Sequence, residues 1–264
     1  MNDAEFTELV SRAMGSATPR VWSLLVTMFG DLALAPQARL SGATVNAITA
    51  AIGIKPEATR VALHRLRKEN WIESHRNGRQ SRYELTKMGR TETKTAWPRV
   101  YGAASSDVTA YLVLNDPSSS NESLPERTNG ISVPIGPKAM VTANTLPTDH
   151  QLALVIGATN DVPQWVSDKL CPPEVQRASA ELVTRFAQLS ESGALDELTL
   201  LHRTALRVVV VHEWRRLILR VPALPEHLYS DAWHGTACRT LFLKLLSRLP
   251  VPDMASLEQE IEGD

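Results

Sequence analysis

The spacing of apolar positions changes period twice between residues 21 and 86. Val21–Phe29 (VWSLLVTMF) is a nearly unbroken apolar run, opened by Pro19-Arg20 and closed by Gly30, and predicts a buried helix. Leu34–Leu40 reads as a loop carrying Pro36. Ser41-Gly42 leads into Ala43–Ile52, where Val45, Ile48 and Ile52 recur at three- and four-residue spacing and mark one face of a helix. Gly53-Ile54 makes a turn. Pro56 suits the first position of the next helix, where its missing N–H goes unnoticed. That helix runs to about Asn70. Thr59, Ala62, Leu63 and Leu66 form its inner face, and Arg60, His64 and Arg67 share its outer one. The period then drops to two: Trp71–His75 and Ser81–Thr86 can pair as strands around Asn77-Gly78, the strongest two-residue hairpin signal. Helix, helix, turn, helix and hairpin is the order of a winged helix-turn-helix.

Beyond Arg90 the pattern loosens. Thr91–Arg99 predicts a connecting helix ending at Trp97-Pro98, and Val108–Leu114 a strand. Asn115–Gly130 (NDPSSSNESLPERTNG) has no apolar period and reads as a polar loop. Ile131–Ile135, Ala139–Ala143 and Leu152–Ile156 predict three more strands, and so a small α+β middle domain. From Pro163 onward helices dominate. Pro172-Pro173 opens one with an apolar stripe of Val175, Ala178, Leu182, Phe186 and Leu189, another runs from about Asp196 to Leu219, and a third spans Thr236–Leu249. Val208–Val211 could form a buried strand, but its long charged flanks favour helix. The tail Val251–Asp264 carries five acids and little to bury, which predicts a frayed end. The fold class expected is mostly helical α+β: a winged helix-turn-helix over residues 19–90, the middle domain over 99–160 and a helical effector and dimerisation domain over 161–250.

Charge sharpens this picture through its distribution. The net charge is −1, yet Lys55–Arg90 holds ten Lys/Arg against four acids, so this window carries +6 and the remainder −7. A basic module on an acidic body is the asymmetry of a nucleic-acid binder. Lys55, Arg60, His64 and Arg67 around the second helix of the motif, with Arg76, Arg79 and Arg82 around the hairpin, become the candidate DNA contacts. Guanidinium groups can fork onto guanine edges or hold phosphates without reading sequence. A winged fold that binds protein instead would use the same elements.

Only Cys171 and Cys238 occur, far apart and without metal-ligand spacing, so a disulfide framework or structural zinc is not expected and a reducing cytoplasm is the natural compartment. The acidic start MNDAEFTELV lacks the charge pattern of a signal peptide, and no apolar run is long enough to cross a bilayer. Enzyme signatures are absent: there is no glycine-rich phosphate loop and no G-x-S-x-G. His212-Glu213 begins like a zinc H-E-x-x-H, but the position of the second ligand is Arg216. Cys238 with His234 could form a nucleophile–base pair, although a buried structural thiol is the ordinary alternative. No catalytic residue, metal or cofactor is expected.

Several of these stretches resemble the PaaX-type transcriptional repressors of phenylacetate catabolism. Phe29-Gly30-Asp31 resembles the family's Phe-Gly-Asp step, and Arg60, Arg65, Leu66 and Asn70-Trp71 its recognition helix and the Gly-Trp after it. Gly78-Arg79-Gln80-Ser81-Arg82-Tyr83 matches its Gly-Arg-x-Ser-x-Tyr wing. Arg99-Val100-Tyr101 resembles the start of its middle domain. Val210–Arg216, Val221-Pro222-Ala223-Leu224-Pro225 and Trp233-His234-Gly235 resemble its long C-terminal helix, Asp-Pro-x-Leu-Pro step and Trp-x-Gly helix start, with Val221 where the family has Asp. The likeness covers roughly residues 20–250. It implies a homodimeric repressor on a partly palindromic double-stranded operator, released by an aryl-CoA thioester such as phenylacetyl-CoA. Such a ligand joins phosphates to an acyl group, and Trp214, Arg215, Arg216, Arg220, Trp233 and His234 are the arginines and aromatic groups available near the C-terminal motifs. Core packing for the tryptophans and ion pairs for Arg215 and Arg216 are the competing roles. A protein-binding scaffold, or an acyl-CoA-handling enzyme with an accessory winged domain, remain the alternatives.

Overall fold

A computed structural model describes residues 2–15, 19–77, 80–102, 108–116, 132–143 and 151–263. The fold is mostly helical α+β, and the chain divides into two compact units. The first comprises Met1–Tyr101, Leu182–Arg216 and Ala237–Asp264, and the second Gly102–Glu181 and Leu217–Thr236.

The first unit opens with α1 (Asp3–Met14), a helix not among those expected although its signals are local. Asn2 and Glu5 form a reciprocal capping box, and Phe6, Leu9, Val10 and Ala13 make its buried stripe. α2 (Val21–Leu32) is buried on nearly every side and does not stop at Gly30. Gly30 marks a close crossing instead: a Cβ there would lie 2.9 Å from Thr93 Cγ2 of α5 (Lys87–Tyr101). α5 also carries Pro98 within its length rather than ending there.

β1 (Leu40–Ser41) precedes α3 (Gly42–Ala51), whose N-terminus is capped by Ser41 Oγ accepting the Thr44 N–H at 3.0 Å. Gly53, at φ +85°, turns the chain into α4 (Pro56–Lys68). Thr59, Ala62, Leu63 and Leu66 are its buried face, as the spacing predicts. Asn70 (φ +59°) reverses the chain into β2 (Ile72–Asn77), which pairs antiparallel with β3 (Gln80–Leu85) in a sheet of order β1-β3-β2. The register pairs Asn77 with Gln80. Asn77 therefore belongs to the ladder, and the connection is residues 78 and 79, one later than the Asn-Gly signal implies; these two lie outside the described residues.

Three later helices complete this unit in part: α7 (Pro173–Glu191), α8 (Leu200–Ile218) and α9 (Gly235–Arg248). Val208–Val211 are helical and at most 1% exposed, so their charged flanks were the better guide. The acidic tail is not frayed. It forms α10 (Met254–Gly263), with Leu257 fully buried. The Glu260 carboxylate accepts the N–H groups of Leu200 and Leu201 at 3.2 and 2.8 Å, capping α8. The acids that suggested a solvated tail are thus used against a helix N-terminus, where negative charge is favoured.

The second unit holds an antiparallel sheet of order β5-β6-β4-β7, built from β4 (Ala110–Asn115), β5 (Ser132–Gly136), β6 (Ala139–Ala143) and β7 (Gln151–Ile156). All four strands match the expected ones. Pro134 sits on edge strand β5, where a missing N–H is tolerated. Ala110, Val133, Val141 and Ala143 pack with Val166 and Leu170 of α6 (Gln164–Leu170) and with Leu224 and Leu228. Most of the expected polar loop, residues 117–130, lies outside the described residues.

Candidate nucleic-acid interface

The outer face of α4 follows from its inner one. Burying Thr59, Ala62, Leu63 and Leu66 forces Arg60, His64 and Arg67 into solvent, where all three are exposed. None of them has an ion-pair or hydrogen-bond partner among the described residues. They line an open groove of about 370 Å³ with Gly42 and Asn46 of α3 and Tyr83 of β3. Lys55, the residue before α4, is exposed as well.

The rest of the basic window is partly spent internally. Arg65 pairs with Glu69 at 2.7 Å and lies over the Trp22 ring at 5.3 Å. Arg90 donates to the backbone carbonyls of Leu34, Ala35 and Leu85, binding α5 to the loop after α2. On the wing, Arg76 is exposed and faces Ser81 across the ladder. Arg82, expected beside the hairpin tip, lies farther down β3 with its guanidinium on Glu258 of α10 at 3.1 Å. Arg79 lies outside the described residues. Among the described residues of this window, Lys55, Arg60, Arg67, Lys68, Arg76 and Lys87 are the cations left free to meet a phosphate, and His64 stands beside them on α4.

Beneath the wing, the Glu84 carboxylate sits between His75 Nε2 at 2.6 Å and the Arg39 guanidinium at 3.3 Å. Burial disfavours its charge, yet Arg39 and His75 together hold it below the usual carboxylate range. Glu73, His75 and Glu84 offer ligand atoms within 4.8 Å of one another, the geometry of a weak metal site, but Arg39 already occupies Glu84.

The six effector candidates fall in both units. In the first, Trp214 is fully buried and its Nε1–H donates to the Val100 carbonyl at 2.8 Å, so it packs in the core and presents no ligand face. Arg216 reaches Glu213 at 3.3 Å, and Glu213 also holds Arg185 at 3.0 Å. Arg215 has no such partner; burial lowers its pKa, and it borders a cavity lined by Val26, Thr27, Trp97 and Tyr101. That cavity, about 20 Å³, is large enough for one water and too small for an acyl group. In the second unit, Arg220 approaches Glu174 at 3.8 Å, and the His234 N–H donates to Ser179 Oγ at 3.0 Å. Trp233 is 7% exposed and lies over Gly235, where a Cβ would come within 2.4 Å of its ring. The Trp-x-Gly step is thus a packing device, with glycine required by the indole.

Sequence reasoning missed Val61, which is 65% exposed on α4, and the α10 clasp on Arg82. An apolar residue off the buried stripe was a signal for the first; no local signal existed for the second, because Arg82 and Glu258 are distant in sequence.

Residues 20–89 match the model of the family described as "PaaX-like protein", and residues 173–256 match "PaaX-like protein C-terminal domain". The chain is 24% identical over 266 residues to the Transcriptional repressor PaaX of Escherichia coli (strain K12), covering 91% of this chain and 84% of that one. A solved structure of an uncharacterised Mycobacterium tuberculosis protein is similar in fold, with a TM-score of 0.50 at 15% identity, over 91% of this chain and 97% of its own.

Proposed function

Because the chain belongs to the PaaX-like protein family, we propose that it is a DNA-binding transcriptional repressor of an aromatic-acid catabolic operon of the phenylacetate type. The observation that carries this reading is the exposed, unpartnered set Arg60, His64 and Arg67 on α4, beside a wing that offers Arg76. α4 enters the major groove with its N-terminal residues toward base edges, and the wing follows the backbone. Lys55, Arg76 and Arg79 act as phosphate contacts, and Arg60 reads a base. The protein binds as a homodimer, so its operator is partly palindromic.

An aryl-CoA thioester releases it. A ligand shifts such an equilibrium only through different affinities for two states of the dimer, one of which fits the operator spacing. Residues 99–160 and 161–250 form the middle and effector-binding parts of this reading. Of the six effector candidates, Arg215, Arg216 and Arg220 keep guanidinium groups that could meet phosphates; Trp214 does not take part.

The test is fluorescence anisotropy of purified protein on labelled DNA from upstream of its own gene, with and without phenylacetyl-CoA. Salt-sensitive binding that the thioester abolishes is the expected result. Binding that ignores the thioester would remove the effector from the account, and no preference over random DNA would remove the repressor.

A further inference from the structure

Val61 is the most exposed large apolar side chain among the described residues, at 65%. It stands on α4 nearly opposite the buried stripe of Thr59, Ala62, Leu63 and Leu66, and so at the outermost ridge of the helix. Its neighbours on that ridge are Glu57, Arg60, His64 and Arg65, all exposed and polar. Nothing in the fold asks for valine there. A β-branched residue lowers helix propensity relative to alanine, and an exposed isopropyl group gains nothing from burial. On the outward face of α4 it is placed to meet an apolar group presented from outside.

We infer that Val61 is a specificity-determining residue, making apolar contact with the C5-methyl group of a thymine in the major groove. This rests on the DNA-binding reading above. The major groove offers one apolar group, the thymine methyl, and the side chains that touch it do so with an apolar surface. Val61 is in the first half of α4, immediately after Arg60, where a docked recognition helix brings side chains to base edges. Arg60 at its side supplies the polar reading of an adjacent pair, so the two residues together distinguish a short step by one fork of donors and one methyl contact.

The test starts from a duplex selected by the full-length protein from a randomised pool. Each thymine is then replaced in turn by deoxyuridine, which removes only the C5-methyl. Wild-type protein should lose about fourfold in affinity at one position in each half-site, the loss expected for one buried methyl group. Val61→Ser, at an exposed site that the fold does not use, should bind the parent duplex more weakly and treat thymine and deoxyuridine alike at that position. Uniform affinity of the wild type for every deoxyuridine duplex would overturn the assignment. So would a Val61→Ser protein that still discriminates at the same position. If no duplex is enriched at all, the DNA-binding reading fails and the contact fails with it.

Discussion

Removing the carboxylate of Asp31 should be the most damaging single-atom-scale change in the first unit. Asp31 and Arg207 are 2% and 7% exposed, and they meet in a two-pronged pair: Arg207 Nε to Oδ2 at 2.7 Å and Nη2 to Oδ1 at 2.8 Å. The Tyr101 hydroxyl donates to Oδ1 at 2.7 Å, and Arg207 Nη1 donates to the Leu249 carbonyl at 2.6 Å. The carboxylate thus ties α2 to α5 and α8, and Arg207 carries the link on to the end of α9. Burial and the adjacent Asp31 charge both push the Tyr101 pKa up, keeping the hydroxyl a donor. Asp31→Asn keeps the shape and deletes the charge, leaving a buried guanidinium uncompensated. Breaking a buried pair in this way costs about 3–5 kcal/mol, which for a chain of this size is roughly 6–20 °C in Tm. The assay is thermal and urea unfolding of wild type and variant, with Glu8→Gln as the contrast. The Glu8–Arg12 pair is exposed on both sides, and losing it should move Tm by no more than about 2 °C. A double replacement, Asp31→Leu with Arg207→Met, should recover only part of the loss: it removes the desolvation cost of both charges but leaves the Tyr101 hydroxyl and the Leu249 carbonyl unpaired. If Asp31→Asn melts within 2 °C of wild type, roughly the effect of the exposed pair, the buried network does not carry the weight assigned to it.

Three further outcomes follow from individual contacts. His212 is 1% exposed and its pKa is pushed down to about 4, first by burial and then by Arg216 and Arg215. The fold therefore favours the neutral ring: its contribution is complete above the unfolded pKa of about 6.5, shrinks as pH falls below that, and is lost once pH has fallen through about 4, by roughly 3 kcal/mol. His212→Gln should flatten that part of the curve, and an equal wild-type-to-variant gap at pH 7 and pH 4.5 in urea unfolding would refute it. Leu257→Ala should cost about 2–4 kcal/mol in the same assay, whereas a frayed tail would show almost nothing. Gly89→Ala puts a Cβ 2.3 Å from the Trp71 carbonyl oxygen, backbone that cannot swing aside, and should lower Tm by several degrees; an unchanged melt would mean that α5 shifts freely.

The local order of residues 20–89 was legible because each element declares its own period: Pro56 as a helix start, the 3.6-residue stripe to Leu66, the alternation around Tyr83. Four strands of the second unit could be found for the same reason. Apart from α1, whose capping box is local, what stayed hidden depends on residues far apart in sequence. Gly30 looked like a stop because glycine commonly ends helices, but it admits Thr93 from α5. Arg82 looked like a wing cation because Glu258 is 176 residues away. Val251–Asp264 looked unstructured because Glu260 finds its partner only at the distant start of α8. At the site, the outward arginines of α4 were readable by periodicity alone. Trp214 lies in the core, the competing role its sequence context left open; a lone tryptophan says nothing about which way it points.

The central claim is that α4 reads DNA while the wing holds its backbone. The salt dependence of binding to the selected duplex, compared for wild type, Arg60→Ala and Arg76→Ala, tests it most directly. Arg60→Ala should weaken binding and relax preference at one base position, at a cost of about 1–3 kcal/mol for the preferred sequence. Arg76→Ala should weaken all duplexes alike and flatten the slope of log affinity against log salt by about one. If either variant is folded and binds as tightly as wild type at every salt concentration, the groove assignment is wrong.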